Sequence, residues 1–377
     1  MNRALAPKYD VIVVGAGLIS LLEASHQAAL GREVLVLERG HVAGGAWKSV
    51  TIGGWVNVEN AVHYFLPDRR AENFVRKNLK IATSRRRRKF LIRVVPGKPT
   101  SLKSFDSWLV KITSIKELWR RSQVAPDGDD SENRLPRLIR QSWRLVTDRK
   151  WYPAAGSGDL KNRILEIVAA NRVSIFYGQE VNAVTVSPQQ VVVSTTGQEW
   201  FASELILSHG LRGFRVSVDQ RDPVSLEFPN RGAFRPQALI LLKDPSIERL
   251  AEYVVTGDDL VKYVHEVSGY ATAPSKSAWE TQRILAVALQ PDASFGDKTP
   301  ENVIDRLVCL GIVSKNFSLL HFRSVDAFIP DIDYAAVDHL VTCAAGSLDI
   351  MATENLARAI GNNAGRWKKF LKVSEFG

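Results

Sequence analysis

Two glycines, a serine and an acid carry the first chemistry in this sequence. Gly15-Ala16-Gly17 follows the run Tyr9 to Val14 (YDVIVV), Ser20 comes three positions later, and Glu38 lies 23 positions after Gly15. Minimal side chains at 15 and 17 let the backbone turn tightly and approach a pyrophosphate. A helix starting there offers unpaired N–H groups to the phosphates, and a carboxylate at the position of Glu38 can accept from ribose hydroxyls. Ser20 occupies the third small position of the pattern, where a helix must pack closely on a strand. The chemistry implied is dinucleotide binding.

The elements that must position these residues follow from the pattern around them. YDVIVV is short, apolar and rich in β-branched residues, as a parallel strand buried on both faces requires. A helical segment runs to Leu30, Gly31 stops it, and a second strand, Glu33 to Leu37, ends on Glu38. Strand, helix, strand and acid in this order form a βαβ unit.

After Glu38 and Arg39 the chain reaches Gly44-Gly45-Ala46-Trp47, in ERGHVAGGAW. Here the sequence resembles the large flavoprotein group that includes amine oxidases, protoporphyrinogen oxidase, phytoene desaturases and UDP-galactopyranose mutase. In that group an acid, five residues and a glycine pair bind FAD. Later segments resemble the group in the same order. Trp151 to Leu160 (WYPAAGSGDL) is similar to its Tyr-Pro-x-x-Gly segment, with a helix-like stretch, Leu160 to Ala170, behind it. Val173 to Val184 resembles the strand whose valine, here Val181, contacts the adenine end through its main chain. Val191 to Ser208 reads as two strands turning at Gly197. Leu340 to Ile360 (LVTCAAGSLDIMATENLARAI) reads as a strand and a glycine-containing turn leading into a helix.

The resemblance thus implies cofactor contacts at Gly15, Gly17, Ser20, Glu38, Arg39, Gly44, Gly45, Ala46, Trp47, Val181, Gly346, Asp349 and Met351. Two departures stand out. The arginine that follows the glycine pair in amine oxidases is replaced by Ala46-Trp47, and Gly346-Ser347-Leu348-Asp349 stands where those oxidases often have Gly-Asp. Asp349-Ile350-Met351 looks more like the mutase-type ending.

In the group, the segment after the glycine pair crosses the flavin face, so Thr51 to Leu66 (TIGGWVNVENAVHYFL) is where catalytic residues are expected. His63 and Tyr64 are the candidates. The position of His63 resembles the histidine-containing segment of the mutase, and an imidazole titrating near neutrality can hold a proton or tune flavin N5. Trp55 and Asn60 are weaker candidates for stacking or orienting. His265 alternates with apolar residues and reads as a sheet histidine or a cavity-facing one. Phe328 and Pro330 precede the final motif, where the group often places an aromatic near the flavin. No HExxH, zinc-spaced Cys/His cluster or GxSxG elbow is present, so no metal site is expected.

The charge balance points to a further feature. The net charge is +10, but Arg69 to Lys150 holds 23 basic and 8 acidic residues, so that stretch carries +15 and the remainder −5. It contains SRRRRK at 84–89, which reads as a solvated loop or face. It also contains two helix-like stretches, Phe105 to Ser122 and Arg137 to Val146, in which tryptophans are surrounded by cations. A helical part of a substrate domain, a face resting on an anionic membrane through 85–146, and a site for an anionic or lipid-like small-molecule substrate are the readings left open. No nucleic-acid-binding module is visible. The two cysteines, Cys309 and Cys343, are too few for a disulfide framework, and no apolar leader or spanning segment is seen. The expectation is a cytoplasmic protein, with peripheral membrane contact as the variant.

The fold class expected is α/β: a discontinuous Rossmann-like FAD-binding domain with an inserted mixed α+β substrate domain. The FAD-binding parts are 1–66, 151–211 and 340–377, and the insertions are 67–150 (basic, helical) and 212–339. The activity implied is FAD-dependent removal of hydride from a C–H bond of an amine, an alcohol or a saturated C–C unit. A non-redox sugar-nucleotide mutase is the alternative, and a non-catalytic dinucleotide-binding protein the third.

Overall fold

The computed structural model describes residues 8–59, 65, 68–84, 88–94, 102–104, 151–208, 213–219, 224–228, 232–290, 298–330, 334–344, 346–351 and 356–373. In chain order, β1 (Lys8–Val14), α1 (Leu18–Ala29) and β2 (Val34–Glu38) form the expected βαβ unit. A hairpin of β3 (Ser49–Ile52) and β4 (Trp55–Glu59) follows, then α2 (Arg69–Asn73), which continues into a wider helical turn at Phe74–Asn78. Next come the short strands β5 (Thr83–Ser84), β6 (Arg88–Arg93), β7 (Leu102–Ser104) and β8 (Tyr152–Pro153), and helix α3 (Ser157–Ala170). The chain then runs through β9 (Ser174–Tyr177), β10 (Val181–Val186), β11 (Val191–Thr195), β12 (Glu199–Ser208), β13 (Phe214–Val218) and β14 (Val224–Phe228).

These strands build one sheet around a parallel centre. β1 lies between β2 and β12, with β9 outside β2 and β20 (Leu348–Met351) beside the end of β12, all parallel. β11 pairs antiparallel with the beginning of β12, and β10, β13 and β14 continue the sheet outward. The reason Val11 to Val14 of β1 are all apolar is now visible. Val11 and Val13 are buried in a core shared with α1, α3 and the C-terminal helix α7 (Leu356–Val373). Ile12 and Val14 are buried in a second core, against β10–β13 and α6 (Tyr334–Cys343). Each such fully buried side chain contributes roughly 1.5–3 kcal/mol. A buried acid fastens α7 to α1. Glu23 accepts from the Trp367 indole at 2.8 Å, from Gln27 at 2.8 Å and from the Arg366 guanidinium, so its charge is compensated where water is excluded.

The second sheet adds β15 (Gly232–Lys243), β16 (Ala251–Thr256), β17 (Val261–Glu266), β18 (Gln282–Leu289) and β19 (Ser318–Pro330) to two of the short strands. Its order is β19, β15, β18, β17, β16, β6, β7. Helix α4 (Lys276–Thr281) precedes β18, and α5 (Pro300–Cys309) covers one face through Val303, Ile304 and Leu307. The opposite face, with Leu239, Leu241 and Ile284, receives Ile52, Trp55 and Val58 of the β3–β4 hairpin. The N-terminal segment therefore reaches out of the first sheet and packs on the second.

Three expectations are corrected. Phe214–Val218 and Val224–Phe228, placed with the insertion, extend the first sheet, β13 pairing with β10 and β14 with β13. Residues 68–79, placed in the basic insertion, bury Ala71, Phe74, Val75 and Leu79 against α1 and α7. Leu340–Cys343, read as a strand, is the end of helix α6, and the strand comes after the turn. A four-residue apolar run does not distinguish strand from buried helix, and only its packing partners decide. Of the basic stretch, Arg88–Arg93 is a strand paired parallel with β16, with Phe90 and Ile92 buried, and residues 85–87 of SRRRRK lie outside the described residues. The helix-like stretches 105–122 and 137–146 lie outside the described residues. Among the described residues no helix is long and apolar enough to cross a membrane.

Asp244, just after β15, ties the second sheet to the loop before β19. Its carboxylate accepts from the Ser246 N–H at 3.0 Å, the Ser246 hydroxyl at 2.5 Å and the Ser314 N–H at 2.7 Å. Burial alone would raise its pKa, but the hydrogen bonds from Ser246 and Ser314 outweigh it and hold the carboxyl below its ordinary value. A lowered folded-state pKa adds stability above the unfolded pKa, and this is lost as pH falls through the folded one. Asp244→Asn should therefore lower stability by about 1–3 kcal/mol at pH 7. The gap to wild type should close below about pH 4, as read by thermal melting across pH.

Candidate dinucleotide site

The site begins where β1 ends. Gly15 has φ +92°, donates its N–H to the Leu37 carbonyl at 2.8 Å, and leaves so little room that an added Cβ would lie 2.3 Å from the Ser208 Oγ. Glycine is required there twice over, by conformation and by the approach of β12. Gly17 caps α1 with extended backbone and no side-chain bond, and the first turn of the helix carries no acid. Its leading N–H groups thus face the strand edge without an internal anion, the arrangement that accepts a phosphate. Ser20 is buried, its Oγ 4.0 Å from a Cβ built on Gly17, so small size at this position serves packing.

The glycine pair docks directly on this turn. Gly44 donates to the Ala16 carbonyl at 2.8 Å and forms a parallel bridge with Gly17. Gly44 and Gly45 have φ +116° and +57°, and a Cβ on Gly45 would come 3.3 Å from the α-carbon of Gly17. The two glycine segments, far apart in sequence, form one backbone-lined surface.

Glu38 stands against the same turn. One carboxylate oxygen accepts from the Ala16 N–H at 2.6 Å and the other from the Gly40 N–H at 2.7 Å. These bonds aim the group at the turn, and a carboxylate has further lone pairs for hydroxyl donors. The loop between β9 and β10 lies alongside: Gln179 donates to the Glu38 carbonyl at 2.9 Å and Gly178 to the Gly40 carbonyl at 3.2 Å. Arg39 is 3.7 Å from Glu180. Val181, the expected main-chain contact, opens β10 next to this loop. Tyr177 is pushed above its ordinary pKa, by burial first and by the charge of Glu38 second.

At the other end, Ala46 is exposed and Trp47 is half-buried beside Phe65, with ring centroids 5.0 Å apart, and Tyr152 at 6.4 Å. Phe65 stacks on Trp151 at 4.1 Å, and Tyr152 meets Tyr270 at 5.0 Å. Behind this aromatic wall lies Glu59, fully buried at the end of β4. It accepts from the Tyr152 hydroxyl and from the Ser157 N–H at 3.0 Å. Because Gly156 offers α3 no side-chain cap, Glu59 supplies an acceptor at that helix terminus across 98 residues of sequence.

The structure brings Gly15, Gly17, Glu38, Gly44 and Gly45 together, with Ser20 behind and Arg39, Ala46, Trp47 and Val181 at the margins. Met351 ends β20 opposite Ser208, the residue that adjoins Gly15. Gly346 is different: it precedes β20, five positions from Met351 and hence roughly 16 Å down the sheet from the phosphate-facing edge. The strand follows the turn and carries the chain to that edge only at Met351. Asp349 lies between the two, exposed, opposite Ile206. Trp55 is fully buried, donating to Gln282 Oε1 at 2.8 Å, and His265 is buried in β17 with a partner, so both belong to the core. Phe328 and Pro330 lie on β19 opposite Phe234 and Gly232. His63, Tyr64 and Asn60 lie outside the described residues. Sequence reading missed Ser208, Glu59 and Lys161. None stands in a motif, and only the position of Lys161 just after the Tyr-Pro-x-x-Gly segment offered a signal.

Gly15→Ala should abolish dinucleotide binding, measured by titration calorimetry. Gly31→Ala, where an added Cβ meets open space despite φ +85°, should keep binding and lose only about 1 kcal/mol of stability. Glu59→Ala, which leaves the Tyr152 hydroxyl and Ser157 N–H without their acceptor, should cost about 2–4 kcal/mol in chemical denaturation.

A family model described as an NAD(P)-binding Rossmann-like domain matches residues 13–77. No curated protein sequence matches the chain. Similar solved structures include putrescine oxidase bound to putrescine, 14% identical over 98% of both chains with a TM-score of 0.63. Cyclohexylamine oxidase from Brevibacterium oxydans is 12% identical over 98% of this chain and 99% of its own, with a TM-score of 0.63. Reduced UDP-galactopyranose mutase is 11% identical over 97% of this chain and 95% of its own, with a TM-score of 0.62. The chain is a Rossmann-like α/β protein with the fold that these two oxidases and the mutase share.

Proposed function

We propose that this protein is an FAD-dependent oxidoreductase that removes hydride from a C–H bond of an amine, alcohol or saturated C–C unit in a small or amphipathic substrate. The observation that carries the reading is the docking of Gly44-Gly45 on Gly15-Ala16-Gly17. This extends the phosphate cradle past the single turn that a shorter dinucleotide needs. The residues fit FAD on three counts: a turn with no room for a Cβ at Gly15, an uncapped α1 terminus, and a Glu38 carboxylate pre-aimed at the ribose position. The likeness in fold to putrescine oxidase and cyclohexylamine oxidase supports the reaction class.

Bound flavin would supply the hydride acceptor at N5. The chain's own part is to hold and orient. The α1 terminus and Gly17 bind the phosphates, Glu38 fixes the ribose, and Trp47, Phe65, Trp151 and Tyr152 form an apolar wall that keeps water from the site. We assign His63 and Tyr64 to the substrate side. Their flanking residues, Glu59 and Phe65, are both buried at this wall. An imidazole at 63 would hold or release the substrate's proton. The anionic or lipid-like nature of the substrate, and membrane contact through 85–146, belong to the same proposal.

The purified protein should be yellow and release FAD on denaturation, and anaerobic mixing with an amine substrate should bleach it. A colourless protein that cannot be reconstituted with FAD would refute the reading. The likeness to the mutase is of the same degree as to the oxidases, so UDP-galactopyranose belongs in the test. Isomerisation only after prior reduction, without net redox change, would favour the mutase reading. His63→Ala should retain FAD and lose about 100-fold or more in turnover.

A further inference from the structure

A cation from outside the glycine motifs lies over the glycine pair. Helix α3 connects directly into β9, which lies parallel to β2. It must therefore run antiparallel to both strands, and its first turns lie at the same sheet edge as Gly15 and Gly17. Lys161 is the fifth residue of α3 and half-buried. Its stem passes over the glycine pair, with Cδ 3.2 Å from the point where a Cβ on Gly44 would stand, and its ammonium is 3.3 Å from the Ser49 hydroxyl on β3. Among the described residues no carboxylate forms an ion pair with it, whereas Arg39 is held at Glu180.

A pyrophosphate brings two negative charges, and the turn at Gly15–Leu18 offers neutral N–H donors only. Ala46-Trp47, the residues directly after the glycine pair, add no cation. We propose that Lys161 neutralises the dinucleotide pyrophosphate, reaching it across Gly44. This would make Lys161 a cofactor-affinity residue supplied by the second crossover helix rather than by the glycine motifs. A lysine suits this task as a compact, mobile charge on an apolar stem that can leave a hydroxyl for a phosphate. The absence of a Cβ at Gly44 is what lets the stem lie there.

The inference rests on the dinucleotide reading above, and two probes separate them. FAD and ADP-ribose, which share the pyrophosphate while only FAD carries flavin, are titrated into flavin-free protein. The variants are Lys161→Gln, Lys161→Arg and, as a remote exposed control, Lys276→Gln. Lys161→Gln should weaken both probes about tenfold or more, Lys161→Arg should stay within about threefold of wild type, and Lys276→Gln should match wild type. Added salt should weaken binding to wild type more than to Lys161→Gln. All variants should melt with wild type when no ligand is present. Unchanged affinity in Lys161→Gln, or equal loss in the Gln and Arg variants, would overturn the proposal. Wild type that binds ADP-ribose but not FAD, with the tenfold loss preserved, would uphold Lys161 and remove the flavin reading. Binding of neither probe by wild type would overturn both.

Discussion

The close approach of two backbone segments, Gly15–Gly17 and Gly44–Gly45, is the constraint on which the rest of the molecule depends. The Gly44 N–H bonds the Ala16 carbonyl at 2.8 Å, and Gly17 backbone already stands 3.3 Å from where a Cβ on Gly45 would be, so a side chain there would crowd the two segments. Holding both segments at one sheet edge requires β1 to end, α1 to begin and the chain after β2 to fold back over the turn. Ser208 from β12 presses on the same turn from the other side. The cradle is therefore assembled from three separate stretches of sequence, and its precision comes from the rigidity of the parallel strands beneath it.

That rigidity has an identifiable source. β1 alternates its side chains into two different cores, so its position is determined from both faces at once. Buried acids then join distant parts of the chain: Glu23 holds the C-terminal helix on α1, and Glu59 joins the hairpin to the start of α3. Each is a carboxyl group taken out of water, where the hydrogen bonds it accepts offset the cost of burial. The β3–β4 hairpin extends the same logic between the sheets, inserting Ile52, Trp55 and Val58 into the face of the second one. A site at the edge of the first sheet is in this way mechanically joined to the domain that would hold a substrate.

Residues with local signatures were legible in the sequence. YDVIVV, the glycine turn, the helix to Leu30 and the acid at 38 are all encoded within thirty-odd positions, so strand, turn, helix and strand could be read in order and the dinucleotide chemistry with them. Elements whose identity depends on distant partners were not. Residues 340–343 carry an apolar run compatible with either state, and packing against the second core makes them helical. Gly346 fell within the matching C-terminal segment but precedes its strand instead of following it.

The sequence alone determined the fold class, the glycine turn after β1 and the acid at 38, because these are set by short-range periodicity and by backbone conformations that only glycine adopts freely. The tertiary structure decided which remote side chains stand at the glycine cradle, Ser208 from β12 and Lys161 from a crossover helix, and which acid, Glu59 from a hairpin strand, meets the start of that helix. Their nearness results from strand register and helix direction, quantities that sum over the whole sheet and leave no mark on the residues nearby in sequence.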